Sequence, residues 1–134
     1  MFLLDTNVCI RFLEGRSERL RQKFLSVPKS QKCLCSVVAA ELLFGAAKSK
    51  RREQTLGILM SFIQRFQLVD FDLNSALHFA EIRAELEIQG RPIGPYDLQI
   101  AAIARANGMT LATNNVAEFG RVSGLLVEDW EQFV

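Results

Sequence analysis

Three apolar residues, Phe2, Leu3 and Leu4, run straight into Asp5-Thr6-Asn7, and the chain repeats this alternation of a short apolar run with a longer amphipathic segment. That pattern predicts an α/β fold with a mostly parallel sheet. Residues 2–4 read as a first strand, followed by a helix from about Asn7, with Thr6 or Asn7 as its cap, that stops at Gly15. Residues 17–27 read as a helix with Leu20 and Phe24 spaced i,i+4 and Pro28 as its end. Cys33-Leu34-Cys35 is a second strand, and Ser36 caps the helix carrying Val37, Val38, Leu42 and Leu43. A basic run, 48–52, leads to a helix with Leu56, Leu59, Met60 and Ile63 as its stripe. Leu68-Val69 with Phe71 makes a third strand, and Asp72 caps a long helix to Gln89 that closes on Gly90. Gly94-Pro95 opens a helix that is apolar almost all round, which predicts a place inside the core, and Gly108 ends it. Met109–Thr113 is a fourth strand, Asn114-Asn115 a polar loop, and Leu125-Leu126-Val127 a final strand. With no repeat, linker or low-complexity stretch, residues 1–134 are expected to form one domain.

Composition narrows the class. A chain of 134 residues can bury roughly two-thirds of its unfolded surface. Its 49% hydrophobic and 23% charged content suits a globular protein and argues against disorder. No apolar run approaches the roughly 18 residues of a membrane span, and the apolar start at Phe2–Leu4 is too short for a signal peptide, so the expected compartment is the cytoplasm. Cys9, Cys33 and Cys35 with the single His78 match no zinc-ligand spacing, so packed, reduced thiols are expected. A net charge of +1 does not announce a nucleic-acid binder. The basic residues do gather at Arg16, Arg19, Arg21 and Lys23 and again at Lys48, Lys50, Arg51 and Arg52, a pattern that a solvated face explains as well as an RNA contact does.

The chemistry lies in three acids, Asp5, Glu41 and Asp97, each set among apolar neighbours. A buried carboxylate without a partner costs several kcal/mol or stays protonated. In open parallel sheets, ligands bind beyond the carboxyl ends of the strands. Asp5 follows the first strand, Asn115 follows the fourth, Glu41 sits about one and a half turns into the helix after the second, and Asp97 lies in a first helical turn, where the helix dipole favours its ionised form. Two carboxylates about 5 Å apart at an effective dielectric near 20 repel by roughly 3 kcal/mol, and a hard dication with an all-oxygen shell relieves that repulsion. Taken singly, Asp5 and Asp97 can be helix caps, and Glu41 can bind an arginine. With one histidine in the chain, triad and paired-histidine chemistries have no parts to work with.

Four motifs in order, Leu3-Leu4-Asp5-Thr6-Asn7, Ala40-Glu41-Leu42-Leu43-Phe44-Gly45-Ala46, Gly94-Pro95-Tyr96-Asp97-Leu98-Gln99-Ile100-Ala101-Ala102 and Thr113-Asn114-Asn115 through Phe119, resemble the PIN-domain toxins. The likeness covers essentially the whole chain and is strongest to VapC, the ribonuclease half of type II VapBC toxin–antitoxin modules. It implies a three-layer α/β/α PIN-like fold with a short parallel sheet, a homodimer, and endonucleolytic cleavage of RNA dependent on Mg²⁺, with Mn²⁺ able to substitute. It implies Asp5 and Asp97 as metal ligands and Glu41 as the third catalytic acid. Thr6 or Asn7 would support Asp5, and Thr113 would hold water or phosphate. Many members carry a fourth acid where this chain has Asn115, and Glu118 one turn on can substitute. The Thr-Asn-Asn-x-x-Glu-Phe pattern looks similar to the branch that cuts initiator tRNA in the anticodon loop. Under this resemblance Lys48, Lys50, Arg51 and Arg52 are candidates for RNA phosphates, with Arg11 and Arg83 as alternatives, and Phe12, Leu13, Phe44 and Met60 are candidates to receive a helix of a VapB-type antitoxin. Two rivals stand beside it. One is a phosphotransfer domain with Asp5 as nucleophile, although Asn7 stands where a second acid is expected and no catalytic lysine is evident. The other is a non-catalytic relative, for which Asn115 speaks.

Overall fold

Leu3 and Leu4 are fully buried because their strand, β1 (Phe2–Leu4), is the middle of a five-stranded sheet whose order is β3-β2-β1-β4-β5. The computed structural model describes residues 1–132. Within them the chain runs β1, α1 (Thr6–Glu14), α2 (Glu18–Ser26), a 3₁₀ turn at Lys29–Gln31, β2 (Lys32–Cys35), α3 (Ser36–Ala47), α4 (Arg52–Ile63), β3 (Gln67–Val69), α5 (Leu73–Ile88), α6 (Pro95–Ala106), β4 (Thr110–Ala112), α7 (Val116–Phe119) and β5 (Val127–Glu128). Every strand pair is parallel, so the expected mostly parallel sheet is wholly so. The chain winds outward from β1 through β2 to β3, then returns to β4 on the other side of β1. Crossovers of one hand on either side of such a reversal cover opposite faces of the sheet, which yields the α/β/α layering. No helix among the described residues is long and apolar enough to cross a membrane.

Several boundaries differ from the sequence reading, each for a local reason. The cap of α1 is Asp5, one residue earlier than Thr6 or Asn7, because its carboxylate accepts from the Thr6 N–H while its backbone is still extended. Gly15, at φ 68°, closes the helix in the left-handed region as expected. Ser36 is the first helical residue of α3 and not its cap; Cys35 holds that position with no side-chain hydrogen bond. Phe71 lies beyond β3, and Met109 and Thr113 flank β4 without belonging to it. The last strand starts at Val127, where register opposite Leu111 and Ala112 is available; Leu126, by contrast, is mostly exposed. Asp72 caps α5 by accepting from the Ser75 N–H, as expected.

The core has two parts. α6 is buried continuously from Ile100 to Ala104, and its alanines let neighbouring backbone approach closely. Beneath α1, α2 and α4, Phe24 stacks on Phe12 with ring centroids 3.7 Å apart and meets Trp130 and Phe66 edge-on. Phe12 is thus spent on the core. Lys32 is buried here too. Its Nζ donates to the Phe24 carbonyl at 2.7 Å and lies 4.2 Å from the Phe24 ring centre, and burial lowers its pKa. Cys9, Cys33 and Cys35 are free and buried, the packed thiols the sequence predicts, and burial pushes Cys35 up to about 11.

Candidate metal centre at the strand reversal

The acids meet at the seam between β1 and β4. The Asp5 N–H donates to the Ala112 carbonyl at 3.0 Å, extending the ladder one residue past the Leu4–Ala112 pair. That places Asp5 beside Thr113, and the Thr113 hydroxyl donates to Asp5 Oδ2 at 2.8 Å across 108 residues of sequence. Oδ1 accepts the Thr6 N–H at 2.8 Å. Asp5, only 5% exposed, is therefore fixed through both oxygens by two elements. From α3, Glu41 accepts the Thr6 hydroxyl through Oε1 at 2.8 Å. From the other side, the Asn115 N–H donates to Thr113 Oγ1 at 3.0 Å, and Asn115 Nδ2 donates to Glu118 Oε2 at 3.0 Å. Glu118 in turn shares a hydrogen bond with Asp97, which also feels the charges of Asp5 and Glu41. A continuous path runs from Glu41 through Thr6, Asp5, Thr113, Asn115 and Glu118 to Asp97.

Roles shift within that network. Thr6 serves two acids, its N–H going to Asp5 and its hydroxyl to Glu41, while Asn7 is exposed and makes no hydrogen bond to these acids among the described residues. Thr113 spends its hydroxyl on Asp5 and not on solvent or phosphate. Asn115 is a positioning residue: the charge absent from its own side chain is supplied by Glu118, which it holds. Glu41 faces a threonine, not the arginine that was its structural alternative. The sequence spacing of Asn115 and Glu118, three apart after a strand, was the available signal for this exchange.

The electrostatics overturn one expectation. The first-turn position of Asp97 on α6 favours its ionised form through the helix dipole, yet its carboxyl is pushed up to about 7, by burial first, then by the hydrogen bond with Glu118 and the charges of Asp5, Glu118 and Glu41. Burial, with the neighbouring acids adding to it, outweighs the helix dipole, which contributes only about 0.3–1 kcal/mol. Burial also raises Asp5, against the lowering effect of Thr113 and Thr6. A carboxyl with a folded pKa above its unfolded value takes up protons on folding, so the metal-free protein loses stability as pH rises from about 3.8 towards 7. In EDTA, the thermal midpoint is expected to fall between pH 5 and pH 7.5, and Asp97→Asn should flatten that fall. Equal slopes for the two proteins would contradict the strained-acid picture.

The donor chemistry fits a hard dication. Four carboxyls and two threonine hydroxyls offer only oxygen, and among the described residues no lysine, arginine or histidine is paired with Asp5, Glu41, Asp97 or Glu118. The acids are arranged by hydrogen bonds and not gathered around one point: among the described residues no set of three His, Cys, Asp or Glu side chains already forms a metal cage. Asp5 and Asp97 would hold the ion, and Glu41 and Glu118 would complete the negative field.

The cations fall into two groups. Arg11 is engaged by Glu131 at 2.7 Å and Arg83 by Glu87 at 3.1 Å, which removes the two alternatives from the free set. Lys48, Lys50, Arg51 and Arg52 have no carboxylate partner among the described residues; all four are exposed at the end of α3 and the start of α4. A separate groove of about 500 Å³ between α1 and α4 is lined by Leu13, Gln54, Gly57, Ile58, Phe62 and Arg65. Of the four residues expected to line a helix-binding groove, only Leu13 does so.

Residues 2–125 match the PIN domain family. The chain is 43% identical to the tRNA(fMet)-specific endonuclease VapC of Shigella flexneri, over 96% of this chain and 97% of that one. It is 35% identical to Ribonuclease VapC2 of Rickettsia felis, over 98% and 99% of the two chains. Among solved structures, DNA-bound VapBC from Salmonella typhimurium is similar, with a TM-score of 0.90 at 41% identity over 96% of this chain and 97% of that one.

Proposed function

The chain belongs to the PIN-domain family, in its VapC group, and from that premise we propose that it is a metal-dependent endoribonuclease toxin hydrolysing RNA phosphodiesters. The observation that carries the reading is the uncompensated acid network at the β1–β4 seam, where hydrogen bonds link four carboxyls that have no basic partner among the described residues. Mg²⁺ or Mn²⁺ held by Asp5 and Asp97 would neutralise the attacked phosphate and lower the pKa of a water molecule there. The chain's own contribution is rigidity. Asp5 cannot turn, because each oxygen accepts from a different element, and Glu41 is locked through Thr6 to the same segment. Such preorganisation spares the reorganisation that mobile carboxylates would need.

The substrate we propose is tRNA, in particular the anticodon loop of initiator tRNA, since two of the relatives bear the name tRNA(fMet)-specific endonuclease. Lys48, Lys50, Arg51 and Arg52 would neutralise phosphates, contributing affinity that weakens with salt and does not depend on sequence. As partners we propose a VapB-type antitoxin, because similar structures are VapBC complexes, and a second copy of the chain in a homodimer. The groove between α1 and α4 offers an amphipathic helix an apolar floor at Leu13 and Phe62.

Neither rival gains from the geometry. Asn115, the support for a non-catalytic module, is occupied in holding Glu118, and as a phosphoryl acceptor Asp5 would have to free an oxygen that a buried threonine holds. The test is cleavage of purified tRNA by the full-length chain with Mg²⁺, with EDTA, and with Mn²⁺ added after EDTA. Cutting is expected with either metal and not with EDTA. Cleavage that persists in EDTA, or none in any condition, overturns the proposal.

A further inference from the structure

Two large aromatic rings stand in water close in sequence to the acids, and neither the acid network nor the groove uses them. Phe44 is 64% exposed and Tyr96 60% exposed. Phe44 lies three residues past Glu41 on α3, so the two share one side of the helix and the ring lies about one turn from the acid. Tyr96 immediately precedes Asp97 in the first turn of α6. Phe44 is absent from the lining of the α1–α4 groove. Instead, Lys48 places its Nζ 5.0 Å from the Phe44 ring centre, and Lys50, Arg51 and Arg52 follow directly. Leaving a phenyl ring in water forgoes the stabilisation that burying it would contribute, so a ring kept there beside a cation and one helical turn from Glu41 points to a ligand with a flat apolar face and a negative charge. An unpaired nucleotide has both. Duplex RNA keeps its bases stacked within the helix and has no face to offer.

We propose that Phe44 and Tyr96 are base-stacking platforms flanking the scissile phosphate, with Lys48 on the adjoining phosphate, and that they confine cleavage to unpaired RNA. The inference rests on the ribonuclease reading above. It assigns specificity to side chains that are not acids and read no base edges, so they accept any base sequence while rejecting a paired one.

The experiment uses the full-length protein and a short RNA hairpin with 2-aminopurine beside the cleaved bond in the loop. Wild type, Phe44→Ala, Phe44→Trp and Tyr96→Ala are compared, with Ile88→Ala as control because Ile88 is also exposed, at 87%, but distant in sequence from the acids. Phe44→Ala is expected to raise KM roughly tenfold to a hundredfold, the range for loss of one base–aromatic stack, with little change in kcat, and Phe44→Trp to restore it. Tyr96→Ala should show a loss in the same range and Ile88→Ala none. Binding is read separately in EDTA, where no cutting occurs: fluorescence quenching of the aminopurine should appear with wild type and vanish with Phe44→Ala. Unchanged KM and quenching in Phe44→Ala, an equal loss in Ile88→Ala, or an effect of Phe44→Ala confined to antitoxin binding would each overturn the proposal. Failure of wild type to cut the hairpin at all would instead sink the ribonuclease reading, so the two failures are distinguishable.

Discussion

Asp5→Asn is expected to abolish RNA cleavage, by at least roughly a thousandfold, and to raise the thermal midpoint of the metal-free protein. The first effect follows from removing one charge at the point where an ion would neutralise the reacting phosphate. Such stabilisation is worth several kcal/mol, and each ~1.4 kcal/mol is tenfold in rate. The second follows from the same burial that raises the Asp5 pKa: a neutral amide pays no penalty for lost ionic hydration. The fold should survive, since asparagine is as good a helix cap as aspartate and its amide can donate to Thr113 Oγ1 in place of accepting from it. Adding Mg²⁺ should stabilise the wild type and leave the variant nearly unmoved. A variant that cuts RNA at the wild-type rate, or whose midpoint climbs equally with Mg²⁺, would remove Asp5 from the metal site.

Phe24→Ala is expected to cost about 3–5 kcal/mol of folding stability, the usual range for truncating a buried phenyl ring. The ring sits among Phe12, Phe62, Phe66 and Trp130, so its neighbours cannot all close on the space it leaves. It is also the apolar face against which the buried Lys32 ammonium rests, and the replacement leaves that charge with its one carbonyl acceptor. Urea unfolding monitored by circular dichroism measures the loss; a change under about 1 kcal/mol would show that the aromatic cluster is peripheral. Cleavage per folded molecule should stay near wild type, because the cluster lies under α1, α2 and α4 and away from the carboxyl ends of the strands.

What the sequence made legible was pattern. Short apolar runs marked β1, β2 and β4, the apolar belt of α6 declared its burial, and Asp5, Glu41 and Asp97 stood out as charge among grease. All of these depend on local composition. What stayed hidden depends on pairing between distant residues. β5 is placed by register with Leu111 and Ala112, not by its own apolar content, so Leu125 and Leu126 misled. Asp5 caps α1, one of the two readings its position in the sequence allowed, and its backbone pairing with Ala112 is what sets it there. For Asp97 the helix dipole can be read from one segment, whereas the burial that outweighs it, and the charges of Asp5, Glu41 and Glu118 that add to it, come from tertiary structure. The resemblance to PIN-domain toxins supplied the acids before the geometry did, and Thr6 supports Asp5 as it implied; it gave Thr113 water or phosphate to hold, where the hydroxyl goes to Asp5, and it did not foresee that Thr6 also holds Glu41.

The strand order has a consequence for when the acid site is complete as the chain is made. Asp5 and Glu41 leave the ribosome early, yet the hydroxyl that steadies Asp5 arrives 108 residues later, on the far side of the last crossover back to the middle of the sheet. The first half of the chain holds Asp5, Glu41 and the Thr6 that links them, but the network closes only once α6 brings in Asp97 and the segment after β4 brings in Thr113, Asn115 and Glu118.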